Sequence, residues 1–315
     1  MAKQWVGILF SNSLYQRLAH GKTGNENIDF YLDAARDFGM EPCFFRLQDI
    51  NLKTGQTQAL VQNEFGYTHH SIPTPRVIHN RGMQLRKSSK SKILALDKQG
   101  YHIFNRFNRY GKMYIHRLLA EDSVLLPHLP ATAIATPASL RKWIRQYPSV
   151  ILKPDNSSVG LGIMKIRKRK NMWRWYYQPR KFSHSWNFRS FRRVIPKRLL
   201  RKLRTRRYLV QQMIPLATYE NRPFDIRVSV QKDRSGEWKI TGMVGRVAAP
   251  KTFLTNMAQG GDAMALPHLM QSQPQWDPIA IEERIAFLSL RIASRLDQQL
   301  GGLADLGLDI GLTTE

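Results

Sequence analysis

Residues 151–162 read Ile-Leu-Lys-Pro-Asp-Asn-Ser-Ser-Val-Gly-Leu-Gly. The run Val150-Ile151-Leu152 reads as a strand that delivers Lys153 into a loop of small residues, and Pro154 ends the ladder. Ser157, Ser158, Gly160 and Gly162 let backbone N–H groups come close to an anion, and Lys153 adds a point charge beside them. That chemistry suits a triphosphate. Taken alone, the same stretch is also a plain polar turn, so the residues around it must decide.

Downstream, Tyr208–Gln212 reads as a buried strand with a polar end, followed by Met213-Ile214-Pro215. Arg222–Gln231 then alternates: Ile226, Val228 and Val230 share one face, which puts Asp225, Arg227, Ser229 and Gln231 in a row on the other. An acid and a base on one strand face suit a polar cleft. Arg246 closes a further apolar strand, Trp238 to Val247, after a turn at Ser235-Gly236. Asn256 precedes Gly260-Gly261, and Leu306–Leu312 sets one carboxylate, Asp309, inside an apolar strand.

This ordered set resembles the ATP-grasp superfamily, and within it the YheC/YheD-type endospore coat-associated proteins. The motifs that carry the resemblance are the Val6–Phe10 strand, the stretch Phe104–Lys112, Lys153, Gln211-Gln212, Asp225-Ile226-Arg227, and Asn256 with Gly260-Gly261. It implies an α+β / α/β protein: an ATP-grasp fold of two α+β lobes around a nucleotide cleft, preceded by a Rossmann-like pre-ATP-grasp domain. It further implies ATP as the bound nucleotide, with Lys112, Lys153 and the loop of Ser157, Ser158, Gly160 and Gly162 on the phosphates. Gln211, Gln212, Met213 and Ile214 would hold the adenine, and Asn256 would complete the nucleotide site. Arg227 and Arg246 would face the phosphates or an acceptor carboxylate, and Asp309 would bind Mg²⁺.

The implied reaction is carboxylate–amine ligation through an acyl phosphate, associated with the coat of a spore-forming bacterium. The family pattern adds a Glu-x-Asn pair across a hairpin after the acid at Asp309, whereas the sequence as given stops at Glu315. Either the last strands are missing from it, or the protein binds nucleotide feebly and catalyses nothing. The alternative is therefore a non-catalytic coat or polyanion-binding protein that keeps the nucleotide fold, since fold resemblance does not fix function.

Charge is the second strong feature. The net charge is +26, and there is no acid between Asn156 and Tyr219. Within that span, residues 165–207 hold 18 Lys and Arg, interleaved with Trp173, Trp175, Tyr176, Tyr177, Phe182, Trp186, Phe188 and Phe191. Basic groups among aromatics are the footprint of a polyanion binder. Equally, the rings can be the core of a small lid lobe whose basic groups line a cleft for ATP and an acidic acceptor. The position between two elements of the nucleotide site favours the lid, leaving only weak, non-specific polyanion binding.

The elements that position these residues follow from periodicity. Trp5–Phe10, a helix over Asn27–Phe38 with Tyr31, Ala35 and Phe38 on one side, and Pro42–Leu47 form a βαβ opening, giving a first domain over 1–110. Residues 51–75 read as polar and irregular, and 83–98 as a loop leading into a helix. The ATP-grasp domain is expected over 111–315, with the basic lid lobe at about 150–207 and an incomplete C-terminal lobe at about 208–315. Helices are expected from Gly111 to Ala120, from Thr136-Pro137 to Tyr147, and from Asp277-Pro278 to Gly301.

The single Cys43 excludes an intramolecular disulfide and fits a reducing, cytoplasmic compartment. The apolar run at the start is too short for a signal peptide, and no stretch approaches a membrane span. The histidines, His184 among them, lack metal-ligand spacing, and Asp155 reads as a loop cap rather than a catalytic acid.

Overall fold

A computed structural model describes residues 4–313 apart from 25, 84, 85, 159, 181, 182 and 184. Phe182, His184 and Glu315, singled out above, lie outside the described residues. The chain divides into two compact units: Met1–Arg109 with Gly302–Ala304, and Tyr110–Gly301 with Asp305–Glu315.

The first unit runs β1 (Trp5–Phe10), α1 (Asn12–Leu18), α2 (Asp29–Asp37), β2 (Glu41–Arg46), β3 (Ile50–Asn51), β4 (Gln56–Asn63), β5 (Gly66–Pro73), β6 (Val77–Asn80), α3 (Lys87–Lys98) and β7 (His102–Phe104). Its sheet has the order β3-β4-β2-β1-β6-β7, with β5 on β4. Strands β2, β1, β6 and β7 are parallel. Gly7-Ile8-Leu9-Phe10 is buried without a break, because Leu9 packs with Phe45 and Ile93 on one face while Ile8 and Phe10 pack with Leu14 and Leu18 on the other. A parallel strand covered on both faces reads as a continuous apolar run.

Two expectations for this unit fail. Residues 56–73 form a regular hairpin rather than an irregular stretch: Asn63 Oδ1 accepts from the Phe65 N–H across the turn, and Ala59, Leu60 and Val61 are buried. The polar residues of β4 and β5 had hidden an outer strand pair. Phe38 is also not on the buried side of α2. The helix stops at Asp37, and Phe38 is 62% exposed. The stretch read as a loop leading into a helix is helical over Lys87–Lys98.

The second unit contains α4 (Lys112–Ala120), β8 (Thr132–Ile134), α5 (Pro137–Gln146), β9 (Ser149–Pro154), β10 (Met164–Arg169), β11 (Met172–Tyr177), β12 (Asn187–Phe191), α6 (Lys197–Thr205), β13 (Tyr208–Gln212), β14 (Thr218–Tyr219), β15 (Arg222–Lys232), β16 (Trp238–Val247), β17 (Asp262–Met264), α7 (Leu266–Gln271), α8 (Pro278–Leu300) and β18 (Asp305–Ile310). It has two sheets. The first, ordered β12-β11-β10-β9-β13-β8, is antiparallel throughout. One of its faces packs Val150, Leu152, Ile166, Trp175, Tyr177 and Phe191 against Leu140 and Ile144 of α5 and Leu199 and Leu203 of α6. Of the aromatics of the basic segment, Trp173, Trp175, Tyr177 and Phe191 thus join the lobe core.

The second sheet has the order β14-β15-β16-β17, with β18 on the free side of β15. Phe224, Ile226, Val228 and Val230 are fully buried against α7 and α8. The opposite face of β15 is therefore open, as the alternation requires.

Candidate functional site

A cavity of about 650 Å³ lies within the second unit, lined by residues from both of its sheets. On β9, Ser149, Ile151 and Lys153 share the face opposite the core residues Val150 and Leu152, so the strand presents Ile151 and Lys153 to the cavity. Lys153 has no hydrogen-bond or ion-pair partner among the described residues. Desolvation pulls its ammonium below the usual lysine range, against the opposing fields of Asp309 and Asp225. A cation that has lost water without gaining an acceptor is poised for an anion.

The loop that follows is held in shape by a different lysine. Lys112 Nζ, on the first turn of α4, donates to the carbonyls of Pro154 at 3.2 Å and Ser157 at 2.5 Å. Asp155 accepts from the Met113 N–H at 2.9 Å and pairs with Arg207 at 3.2 Å. It caps α4 and ties that helix to the loop, in place of the cap on its own loop that the sequence suggests. Ser157, Ser158 and Gly160 line the cavity. Gly160 has φ +74°, and a Cβ there would stand 3.2 Å from Asn256 Oδ1. Only glycine lets the loop fold this closely against the segment after β16. Gly162 is not among the lining residues. It packs over Pro154 and Tyr208 instead.

At the other end the cavity is apolar. Gln211, Gln212, Met213 and Ile214 border it, together with Ile115 and Leu119 of α4, Leu125, Leu129, and Leu288, Ile292 and Leu296 of α8. Gln211 Nε2 donates to Thr132 Oγ1 at 2.9 Å, which fixes the strand edge beside this end. The helical spacing of Leu288, Ile292 and Leu296 was legible in the sequence. That they would line a cavity and not fill a core was not.

The open face of β15 supplies the charged wall. Register pairs Asp225 with Arg246 and Arg227 with Asp309. Arg246 Nε and Nη2 donate to the two oxygens of Asp225 at 2.8 and 2.7 Å, and Nη2 lies 3.0 Å from Asp309 Oδ1. Asp225 also accepts from Thr255 Oγ1 at 2.8 Å. Arg227 Nη1 donates to the same Asp309 oxygen at 2.8 Å. Burial alone would raise the Asp309 carboxyl, but the Arg227 hydrogen bond and the charges of Arg246 and Arg227 outweigh it and hold it below the ordinary value. Burial would likewise lower Arg246, yet its carboxylate partners raise it.

Asp225, Arg246, Thr255, Asn256 and Asp309 all border the cavity, whereas Arg227 is not among the lining residues. Asp225 and Thr255 were not among the expected site residues. The alternation places Asp225 on the polar face, but no local pattern shows that it orients Arg246.

The fit to a divalent cation is limited. Among the described residues no group of three or more His, Cys, Asp or Glu is placed to hold a metal. Asp309 Oδ1 takes both arginines, and Oδ2 makes no hydrogen bond to a described residue. These residues suit Mg²⁺ that arrives on a nucleotide's phosphates and takes one protein carboxylate, not an ion enclosed by protein ligands.

Two sheets bordering one cavity, with Lys153 on a strand of the first, are the arrangement of an ATP-grasp fold. Solved structures bear this out. D-alanyl-alanine synthetase A from Vibrio cholerae O1 biovar eltor superposes with a TM-score of 0.54 at 12% identity, over 100% of this chain and 86% of that one. The ATP-grasp ligase PsnB, complexed with minimal precursor, Mg and ADP, gives 0.50 at 13% identity over the same shares. The model of YheC/D like ATP-grasp proteins matches residues 100–315, and the chain belongs to that family. It is 23% identical over 283 residues to the endospore coat-associated protein YheD of Bacillus subtilis (strain 168), covering 86% of this chain and 61% of YheD. With YheC of the same organism it shares 24% over 204 residues, 62% of this chain and 54% of YheC. The chain thus spans a little over half the length of these curated relatives. No helix among the described residues is long and apolar enough to cross a membrane.

Proposed function

We propose that the protein is an ATP-dependent carboxylate–amine ligase. The observation that carries this reading is Lys153, a desolvated lysine with no acceptor among the described residues, facing a cavity that is apolar at one end and lined by Arg246, Asp225 and Asp309 at the other. Adenine lies against the strip from Gln211 to Ile214 and the leucines of α8. The phosphates meet Lys153 and the backbone N–H groups of Ser157, Ser158 and Gly160, while Lys112 braces that loop through its carbonyls. Asn256 closes the loop from the opposite side.

In the reaction, an acceptor carboxylate oxygen takes the γ-phosphoryl group and ADP leaves. An amine nitrogen then bonds to the acyl carbon, inorganic phosphate departs with the former carboxylate oxygen, and the amine's proton passes to solvent. Phosphoryl transfer of this kind depends on positioning and charge neutralisation. Arg246, oriented by Asp225, and Arg227 supply positive charge near the acceptor, and Lys153 supplies it at the phosphates. Mg²⁺ bound with the nucleotide would be held by Asp309 and would offset phosphate charge.

A second reading, a nucleotide-binding coat protein without catalysis, draws on one observation. Arg227 and Arg246 already spend their charge on Asp309 and Asp225. The names of the two Bacillus relatives support a place at the endospore coat in either case.

Calorimetry with ATP and GTP, with and without Mg²⁺, tests the binding half, and ADP release against panels of acids and amines tests the chemistry. ATP is expected to bind in preference to GTP, because backbone groups at Gln211 to Ile214 read the base. A folded protein that binds neither nucleotide overturns both readings. One that binds ATP but releases no ADP with any acid and amine leaves only the second.

A further inference from the structure

The sheet of β8–β13 has a second face, turned away from α5 and α6. Register pairs Ile151 with Lys165, Ser149 with Arg167, and Arg167 with Arg174. In an antiparallel sheet, directly opposed residues share a face. Lys153, Lys165, Arg167, Arg169 and Arg174 therefore lie on one surface. It begins at the cavity, where Lys165 Nζ sits 4.8 Å over the ring of Phe253, a cavity-lining residue.

These charges are not answered from within. Among the described residues of 165–207, Arg207 with Asp155 is the only ion pair. Mutual repulsion is also visible: after desolvation, Arg167 and Arg169 help bring Lys165 down to about 8. Among the described residues, the rings on this side already have partners. Tyr176 packs on Phe188 with ring centroids 5.8 Å apart, and Arg174 covers Phe188 at 4.8 Å. Trp186 packs on Phe253 and donates to Thr252 Oγ1. Trp173, Trp175, Tyr177 and Phe191 belong to the core. What remains is charge at a regular interval. Alternate residues of a strand stand about 6.6 Å apart, which is also the spacing of alternate side chains in an extended peptide laid along it.

We propose that this basic face is a docking track for an acidic polypeptide segment, and that the ligase acceptor is a carboxylate carried on a glutamate- or aspartate-rich chain. The second half of this rests on the ligase reading above. The segment lies extended along β10, its carboxylates facing Arg167, Arg169 and Arg174, and its reacting carboxylate enters past Lys165.

Fluorescence anisotropy with a labelled oligoglutamate and with an oligo-dT of equal charge, at about 50 and 200 mM salt, tests the track. The triple substitution Arg167→Gln, Arg169→Gln, Arg174→Gln is compared with a charge-matched control on the outer face of α6: Lys197→Gln, Arg201→Gln, Arg204→Gln. The double substitution Arg167→Gln, Arg169→Gln leaves Arg174 on Phe188 and serves if the triple fails to fold. The face variant is expected to weaken oligoglutamate binding at least about tenfold and the control less than about threefold. Equal losses in both variants, no oligoglutamate binding by the unaltered protein, or tighter binding of oligo-dT at both salts would overturn the proposal. ATP titration of the same samples separates the two readings. Without ATP binding by the unaltered protein the ligase reading fails, and the oligoglutamate comparison still decides the surface.

Discussion

The guanidinium of Arg227 occupies the space where a side chain at Gly307 would begin: a Cβ there would lie 1.8 Å from Arg227 Nη2 and 2.3 Å from Cζ. The absence of a side chain on β18 lets Arg227 lie flat across the sheet and reach Asp309, one strand away. A glycine in a strand that otherwise reads Asp-Leu-x-Leu-Asp-Ile is therefore part of the charged wall. Gly307→Ala should lower stability by about 1–3 kcal/mol through overpacking and free Asp309 from one of its two arginines. Denaturant unfolding with a parallel ATP titration checks this. An alanine variant with unchanged stability and affinity would show that Arg227 has another resting place.

Lys153→Met should move stability and binding in opposite directions. Removing a desolvated ammonium that has no hydrogen-bond partner among the described residues should raise Tm by about 2 °C, while ATP affinity falls by about a hundredfold with the loss of a charged phosphate contact. Calorimetry and thermal melts on one preparation suffice. A lower Tm with affinity retained would mean that Lys153 serves the fold instead of a ligand.

Asp225 and Arg246 are both largely buried, with side chains 13% and 10% exposed. Asp225→Asn removes the charge that matches Arg246 and should cost about 3–5 kcal/mol, because breaking a buried pair strands its partner. Combining it with Arg246→Met should recover part of that loss, as a double-mutant cycle would reveal. Additive losses would argue that Asp309 alone compensates Arg246.

Lys165 provides a pH signature. Its folded-state value of about 8 lies below that of an ordinary lysine, so the unfolded chain binds more protons between about pH 8 and 10.5, and stability contributed at this site rises with pH across that window. Lys165→Met should therefore be more stable than the unaltered protein near pH 7, with the difference fading toward pH 10. Urea midpoints at the two pH values check the sign. A difference that stays constant with pH would place the ammonium in ordinary solvent.

Much of this was legible in the one-dimensional pattern. The βαβ opening, the β9 strand that carries Lys153 and runs one residue further, through Pro154, the alternation of β15 and the long α8 all rest on periodicity, which local burial enforces. Asp155 reads as a cap of its own loop, but its carboxylate instead caps the first turn of α4 through the Met113 N–H, a partner that no local pattern names. The β4–β5 hairpin did not emerge, because an outer strand pair with one wet face carries too few apolar residues to mark its period.

The sequence alone determined which faces are apolar, where charge accumulates, and which glycines and lysines interrupt strands, since these depend on neighbours two to four residues apart. The tertiary structure decided how the charges are spent. Lys112 goes to loop carbonyls and Lys153 to none among the described residues, Arg246 joins two carboxylates from different strands, and Trp173, Trp175, Tyr177 and Phe191 turn into the lobe core. Each outcome turns on strand register, which brings Asp225, Arg246 and Asp309 within hydrogen-bond distance although more than sixty residues separate Arg246 from Asp309. No spacing rule along the chain encodes that proximity, because it arises only when two apolar faces, β15 with β16 and β15 with β18, are buried together on the same helices.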